Sequence, residues 1–216
     1  RLASSSWDRR VGLWDVPNGQ TIRFFNGHQG PVNAAEFHPT QPHLYSAGGD
    51  GHIRLWNLDT GEYVRSIIKN GFGVNVMALS AELNVLAYGG SNGVMKSVSL
   101  DESGPVIDLW VGGPPVLAIA IEPQSEKMAF GTAEGRVVIA DASVGEIQHD
   151  FHAVKGPIWA MQLGENAESL YFAGLDDWIT KINLGDFIVP HPLAERDRRF
   201  HPDEPIDNGQ KQFARK

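Results

Sequence analysis

Residues 27–68 read GHQGPVNAAEFHPTQPHLYSAGGDGHIRLWNLDTGEYVRSII, and this stretch decides the fold. It contains four short runs of apolar, β-branched or aromatic residues, which turn-forming residues separate at Pro39, Gly48 and Gly61. The runs are Val32–Phe37, Leu44–Ala47, Ile53–Trp56 and Tyr63–Ile68. Short apolar runs at regular spacing, each closed by a turn, are typical of antiparallel strands. The stretch therefore predicts an all-β unit of four antiparallel strands.

The same unit recurs along the chain with a period of 42 residues. One register is acidic or carries an amide, and another is apolar throughout. These registers contain Asp8, Asp50, Asn92, Glu134 and Asp176, and Val11, Ile53, Met95, Val137 and Ile179. The turn positions repeat as Gly19, Gly61, Ser103 (beside Gly104) and Gly145. Four strands in roughly 40–45 residues is the period of a β-propeller blade, so the chain is predicted to contain several such blades.

Two of the units also resemble a known family. Gly27-His28 followed by Asp50–Asn57, and the run Trp7–Asp15 with its Trp14-Asp15 pair, are similar to the WD-repeat signature. The resemblance covers residues 1 to about 188 and fades after the second unit, where Val98, Ala140 and Ile182 replace the tryptophan. It implies a β-propeller of four-stranded antiparallel blades.

In that family a histidine, an aspartate and a tryptophan are linked by hydrogen bonds through a strand hydroxyl. The resemblance implies that His28, Ser46, Asp50 and Trp56 form the full set in this chain. The first unit has only Asp8 and Trp14 of the signature. We expect these six residues to be structural, because a buried polar network stabilises a blade only when all its members are satisfied.

The number of units indicates a fragment. Four full units are present, and a first unit begins inside its second strand at Arg1. Propellers usually have about 4–8 blades and close on themselves, which removes open strand edges. We therefore expect a piece of a larger ring, with seven blades as the first interpretation and five as the alternative.

The C-terminal segment has a different pattern. Residues 1–188 are interpreted as propeller blades, 189–206 as a linker with several prolines, and 207–216 as the start of a helix capped by Asp207. The last segment resembles the first helix of a class I c-type cytochrome, in which Gly209 and Phe213 match a glycine and an aromatic residue four positions apart. The alternative is an ordinary linker followed by a short amphipathic helix.

The cytochrome resemblance has consequences that the alternative lacks. It implies that haem c is attached beyond Lys216, that the intact protein takes part in electron transfer or redox sensing, and that it is periplasmic. Without it a cytoplasmic location is expected. No cofactor is predicted within the 216 residues themselves.

Composition argues against several other functions. The formal net charge of −8 is unfavourable for binding nucleic acid, and no apolar stretch is long enough to span a bilayer. The chain has no cysteine, which excludes disulfides and thiolate metal sites within it.

His149 and His152 flank Asp150, but strand and turn geometry separates them, and no metal site is predicted. His38 and His43 bracket a Pro-containing turn and are expected to be exposed.

Binding remains as the main expectation. No nucleophile elbow or phosphate loop occurs, so the chain is predicted not to be an enzyme. By register, the partner-binding candidates beside the strand starts and turns are Trp7, Phe72, Trp159, Asn33 and Asn75. We rank a protein-binding scaffold first, the propeller of a cytochrome fusion second, and a propeller hydrolase or lyase third.

Overall fold

The computed structural model describes residues 1–69, 71–101, 104, 106–110, 112–175 and 178–186, and the backbone of residues 198–200. These residues form nineteen strands in five antiparallel sheets, with short 3-10 turns at Glu165–Ala167 and Leu184–Asp186. The first sheet contains β1 (Leu2–Ser5), β2 (Arg10–Asp15) and β3 (Gln20–Asn26). The second contains β4 (Val32–Phe37), β5 (His43–Gly48), β6 (His52–Asn57) and β7 (Tyr63–Lys69).

The remaining three sheets repeat this four-stranded meander. The third contains β8 (Val74–Ser80), β9 (Val85–Gly90), β10 (Met95–Ser99) and β11 (Ile107–Trp110). The fourth contains β12 (Val116–Glu122), β13 (Lys127–Thr132), β14 (Arg136–Asp141) and β15 (Ile147–His152). The fifth contains β16 (Ala160–Leu163), β17 (Ser169–Ala173), β18 (Ile179–Asn183) and β19 (Arg198–Phe200).

The predicted fold class is confirmed. Each of the four runs predicted from residues 27–68 is a strand, and its observed bounds differ by at most a residue at either end. The sheets are arranged like the blades of a propeller, four of them with four strands and the first with three. The size of the ring remains a prediction.

Successive sheets pack face to face through four apolar clusters. Val11, Leu13 and Phe25 of the first sheet pack with Leu44 and Trp56 of the second. Equivalent clusters join the second to the third sheet, the third to the fourth and the fourth to the fifth. Because a strand alternates its side chains, each middle strand buries one set against each neighbouring sheet. For this reason β5 and β9 are buried almost throughout.

The recurring turn glycines are explained by this close packing. Gly145 lies in the turn before β15 with a φ of 77°, a backbone conformation that favours glycine. A Cβ atom there would lie 2.7 Å from Leu109 on the outer strand of the preceding sheet. Gly61 has the same role two units earlier, between the first and second sheets, where Arg23 lies against it and donates to the Asp59 carbonyl. Both the turn and the neighbouring sheet therefore require glycine.

The loss of tryptophan after the second unit is compensated by its neighbours. In the first two sheets a strand serine accepts a hydrogen bond from the tryptophan, whereas in the later sheets the serine register holds an aromatic residue and the tryptophan register holds a smaller one. The pairs are Ser4 with Trp14, Ser46 with Trp56, Tyr88 with Val98, Phe130 with Ala140, and Phe172 with Ile182. Phe130 and Ala140 are 1% and 0% exposed and belong to one cluster. The ring has moved to the adjacent strand while the interface stays filled.

The interpretation of residues 189–206 as a linker throughout is wrong for three of them. β19, Arg198–Phe200, pairs antiparallel with β18 and is the fourth strand of the last sheet. It begins later than the 42-residue period would place it, which explains why periodicity alone missed it. The helix predicted at 207–216 lies outside the described residues.

Exchanging Phe130 and Ala140 for the residues of the second sheet tests this compensation. Phe130→Ser should lower the free energy of unfolding by about 3 kcal/mol or more because it leaves a cavity. Ala140→Trp should lower it by about 1–3 kcal/mol because it overpacks the cluster. The double variant should lose less than the sum, since the indole refills the cavity, and urea unfolding followed by far-UV circular dichroism measures all three. Additive losses would contradict the exchange.

Candidate functional site

One end of the sheets carries the three most exposed aromatic residues of the described part of the chain. In an antiparallel meander the first strand begins, the second ends and the third begins at the same end of the sheet. We name this end the Trp7 face; it includes the turns after β1, β5, β9, β13 and β17 and the loops before β4, β8, β12 and β16. Because the unit repeats every 42 residues, equivalent positions of successive units lie at this same end of the sheets.

Backbone hydrogen bonds fix the shape of this face. The amides of Gly49, Ser91 and Ala133 donate to the carbonyls of Pro31, Gly73 and Pro115, at 2.7, 2.9 and 2.8 Å. Each bond joins the turn of a sheet to the loop that leads into it. A surface whose loops are tied in this way is a preformed platform, which reduces the ordering cost of binding a partner.

Three of the five predicted partner-binding residues are exposed on this face. Trp7 is 84% exposed, Trp159 57% and Phe72 53%. Trp7 lies in the turn between β1 and β2, Phe72 in the loop before β8, and Trp159 directly before β16. Exposed aromatic residues lose little conformational entropy on binding and are typical anchors of protein interfaces.

The sequence prediction left out Leu175, which belongs to the same surface. It follows β17, is 70% exposed, and packs near Gly156 of the adjacent loop. It lies four periods of 42 residues after Trp7, at the equivalent position of its unit. The repeat alone could therefore have predicted its exposure on this face. The backbone N–H of Trp159 donates to the carbonyl of Ala173, two residues before Leu175, so the two exposed residues lie beside the same end of the paired strands β16 and β17.

The other two candidates, Asn33 and Asn75, are half-buried and already bonded. The Asn33 amide donates to the carbonyl of Val74 at 2.8 Å, and the Asn75 amide donates to the carbonyl of Val116 at 3.1 Å. Each bond joins the first strand of one sheet to the first strand of the next. These amides therefore link successive sheets, and their role in partner binding stays a prediction.

The structure brings the four signature residues of the second sheet together beneath this face. Trp56 Nε1 donates to Ser46 Oγ at 2.8 Å, and His28 Nε2 lies 2.8 Å from the same oxygen. His28 Nδ1 lies 3.0 Å from Asp50 Oδ1. The hydrogen-bonded series runs from the strand that carries Trp56 to the loop that carries His28.

The chemistry of the groups fixes the direction of each bond. An indole N–H only donates and a carboxylate only accepts, so His28 Nδ1–H donates to Asp50. Ser46 accepts from Trp56 and its hydroxyl proton is directed to His28 Nε2. All polar groups of the series are satisfied with a neutral His28. Burial lowers the pKa of His28 despite the opposing effect of Asp50, which favours this neutral ring.

Asp50 connects the series to its surroundings. It accepts hydrogen bonds from the Gln29 backbone N–H at 2.8 Å and from Arg54 Nη1 at 2.7 Å. Burial alone would raise the pKa of Asp50, but the Gln29 N–H, Arg54 and His28 together hold it well below its usual range. The carboxylate is thus charged and fully engaged, as expected for a residue that holds a loop in place rather than one that transfers protons.

The first sheet has only part of this arrangement. Trp14 Nε1 donates to Ser4 Oγ at 2.8 Å, as Trp56 does in the second sheet. Asp8 is exposed and accepts from Arg10 Nε at 2.9 Å, and the structure does not join it to Trp14. Asp8 and Trp14, which the sequence assigned to one network, therefore belong to two separate hydrogen-bonded pairs.

The remaining predictions concern the exposed histidines, the cytochrome resemblance, metal ligands and membrane spans. His38 and His43 are half-buried rather than exposed, because they pack against each other and His38 stacks on Tyr45. Gly209 and Phe213 lie outside the described residues, so the cytochrome resemblance and its haem stay predictions. Within the described part of the chain, no three or more His, Asp or Glu side chains cluster as metal ligands. In that part, too, no helix has the length and apolarity needed to cross a membrane.

Comparison with known proteins finds similarity over part of the chain. The model of the family described as WD domain, G-beta repeat, matches residues 19–57, which contain the whole His28–Trp56 series. The U5 small nuclear ribonucleoprotein 40 kDa protein of Pongo abelii is 36% identical over 50 residues, which is 23% of this chain. The match spans 14% of that relative's length. These similarities support a protein-interaction scaffold.

Ser46→Ala should destabilise the chain by about 2 kcal/mol or more, because it leaves Trp56 Nε1 and His28 Nε2 buried without partners. Ser4→Ala is the matched control. It removes the acceptor of the half-buried Trp14 alone and should cost about 1 kcal/mol or less. Urea unfolding measures both, and equal losses would show that the His28 series adds nothing to the stability of the second sheet.

Stability should fall as the pH is lowered from about 7 to about 5. The folded-state pKa of His28 is below the ordinary value of 6.5, so the unfolded chain binds the proton more readily. The stabilisation is present above the unfolded pKa and is lost as the pH falls toward the folded one. Burial also lowers the pKa values of His38 and His149. The plot of unfolding free energy against pH should therefore be shallower, but not flat, for His28→Gln; an unchanged slope would rule out His28 as a contributor.

Proposed function

We propose that this chain is a non-catalytic scaffold that binds a protein partner through the Trp7 face. The observation that carries the proposal is the 84% exposure of Trp7, with Phe72, Trp159 and Leu175 exposed at the same end of the sheets. Large apolar side chains that are exposed at one end of a fold are typical of surfaces that bind another protein. The preformed loops of this face add the rigidity that a scaffold needs.

The polar groups of this face support binding rather than catalysis. Asp50 is held by four hydrogen-bonding groups, and Asn33 and Asn75 donate to neighbouring carbonyls. A general base must be free to accept a proton from a substrate. The side chains of Asp50, Asn33 and Asn75 are instead engaged in structural hydrogen bonds. The series of His28 and Ser46 resembles a proton relay in composition only, since its hydrogen bonds end on Trp56.

We propose a protein partner rather than a nucleic acid. The formal net charge is −8, and a nucleic-acid surface would require cations to neutralise phosphates. The similar Pongo abelii protein is named as a protein of a small nuclear ribonucleoprotein, and such particles contain both kinds of partner. For this chain the exposed tryptophans and the acidic balance favour the protein.

Trp7→Ala and Trp159→Ala should each weaken partner binding by about tenfold or more, since interface tryptophans are typical hot spots. The immobilised chain is exposed to an extract of its native cells, and captured proteins are quantified by mass spectrometry. Val144→Ala is the matched control, because Val144 is 65% exposed in a turn at the opposite end of the fourth sheet.

The pattern of losses decides the outcome. A partner lost from both tryptophan variants and retained by the control supports the Trp7 face. A partner retained by both tryptophan variants, or lost from the control alone, would place the binding surface elsewhere. Direct titration with the recovered partner then gives the affinity change for each variant.

A further inference from the structure

The hairpin turn between β2 and β3 carries an exposed Asn-Gly pair, Asn18-Gly19. An asparagine side chain is attacked most readily by the backbone amide of a following glycine, because glycine has no side chain to shield that nitrogen. Five Asn-Gly pairs occur in the chain, and they begin at Asn18, Asn26, Asn70, Asn92 and Asn208. Asn70 and Asn208 lie outside the described residues, so the structure compares the other three.

The backbone amide of Gly19 is little restrained. Asn18 and Gly19 are both exposed, and no atom beyond the neighbouring residues lies within 4 Å of the position that a Cβ would take at Gly19. The Gly19 N–H reaches the Val16 carbonyl only at 3.4 Å, which is longer than an ordinary hydrogen bond. The nitrogen can therefore leave this contact without any change in the packing of the sheet.

The Asn92-Gly93 pair is held in place by the next loop. Gly93 is buried, and a Cβ there would collide with the backbone of Gly113. The half-buried Asn92 accepts a hydrogen bond from the Val94 backbone N–H at 3.3 Å through its side-chain oxygen. The reacting groups of this pair can meet only if the turn first separates from the Gly113 loop.

The Asn26-Gly27 pair is restrained by the second sheet. Asn26 is the last residue of β3 and pairs with Arg10 of β2. A Cβ at Gly27 would lie 3.0 Å from the Trp56 ring, so this glycine packs closely against its neighbour. Local opening costs free energy, and both restrained pairs need it before they can react.

Asp15 is the side chain that a change at Asn18 would affect. Asn18 Nδ2 donates a hydrogen bond to Asp15 Oδ2 at 2.5 Å. A carboxylate has no proton to donate, so conversion of the amide to a carboxylate removes this bond. It also places two negative charges in one turn, where they repel each other.

We propose that Asn18 is a site of spontaneous deamidation and isoaspartate formation. The Gly19 nitrogen attacks Asn18 Cγ and loses its proton to solvent, while the Nδ2 nitrogen leaves as ammonia and a cyclic imide forms. Water then adds to either imide carbonyl and the C–N bond breaks, which yields aspartate or isoaspartate. The reaction consumes water, releases ammonia and adds one negative charge to the formal net charge of −8.

The full chain is incubated at mildly alkaline pH in water enriched in heavy oxygen, and peptide mass spectrometry follows each asparagine. Asn18 should be lost faster than Asn26 and Asn92, by about tenfold or more, because only its turn needs no local opening. Both products should contain heavy oxygen. In guanidinium chloride the three sites should react at similar rates, since each is followed by glycine and none is then protected. A rate at Asn18 no higher than at either other site of the folded chain would overturn the proposal.

Gly19→Ala tests the cyclic route. A methyl group beside the nitrogen hinders its attack, so the loss of Asn18 should slow several-fold. Gly185→Ala is the matched control, because Gly185 also has open space at the Cβ position and does not follow an asparagine; it should leave the rate at Asn18 unchanged. Far-UV circular dichroism shows that both variants are folded. Unchanged loss of Asn18 in Gly19→Ala would overturn the proposal. The turn lies opposite the Trp7 face, so none of these results bears on partner binding.

Discussion

The structure depends on one constraint: the second, third and fourth sheets are apolar on both faces, and each must be covered on both. A sheet in water can leave one face exposed only if that face is polar, and the middle strands here have apolar side chains in both alternating sets. Leu44 packs toward the preceding sheet and Tyr45 toward the following one. Stacking of equal units satisfies this requirement, and it explains why the chain keeps a constant period.

The constant period tolerates changes in chemistry as long as volume is preserved. Among the described residues, the hydrogen-bonded series of His28 and Trp56 exists in full only in the second sheet, yet the later sheets also pack through buried apolar clusters. There an aromatic residue on the second strand, such as Phe130, fills the space that Trp56 occupies from the third. The polar series thus stabilises one loop of one sheet, whereas apolar packing between sheets is common to all of them.

Periodicity in the sequence was sufficient to predict the positions of the strands, but it predicted the candidate site residues only in part. The strands of residues 27–68 were predicted almost to the residue because apolar runs and turn residues alternate there without interruption. β19 escaped because it departs from the period. The exposure of Trp7, Phe72 and Trp159 followed from their turn positions, whereas the bonds of Asn33 and Asn75 did not, since their carbonyl partners lie in the next sheet.

Methyl NOEs between successive sheets test the central claim most directly. The account predicts cross-peaks between the methyl groups of Leu13 and Leu44, of Leu55 and Leu86, and of Ile139 and Leu170, since each pair shares one apolar cluster. Each pair joins one sheet to the next sheet along the chain. NOEs confined within single sheets, or joining sheets that are not consecutive, would contradict the face-to-face stacking on which every other conclusion depends.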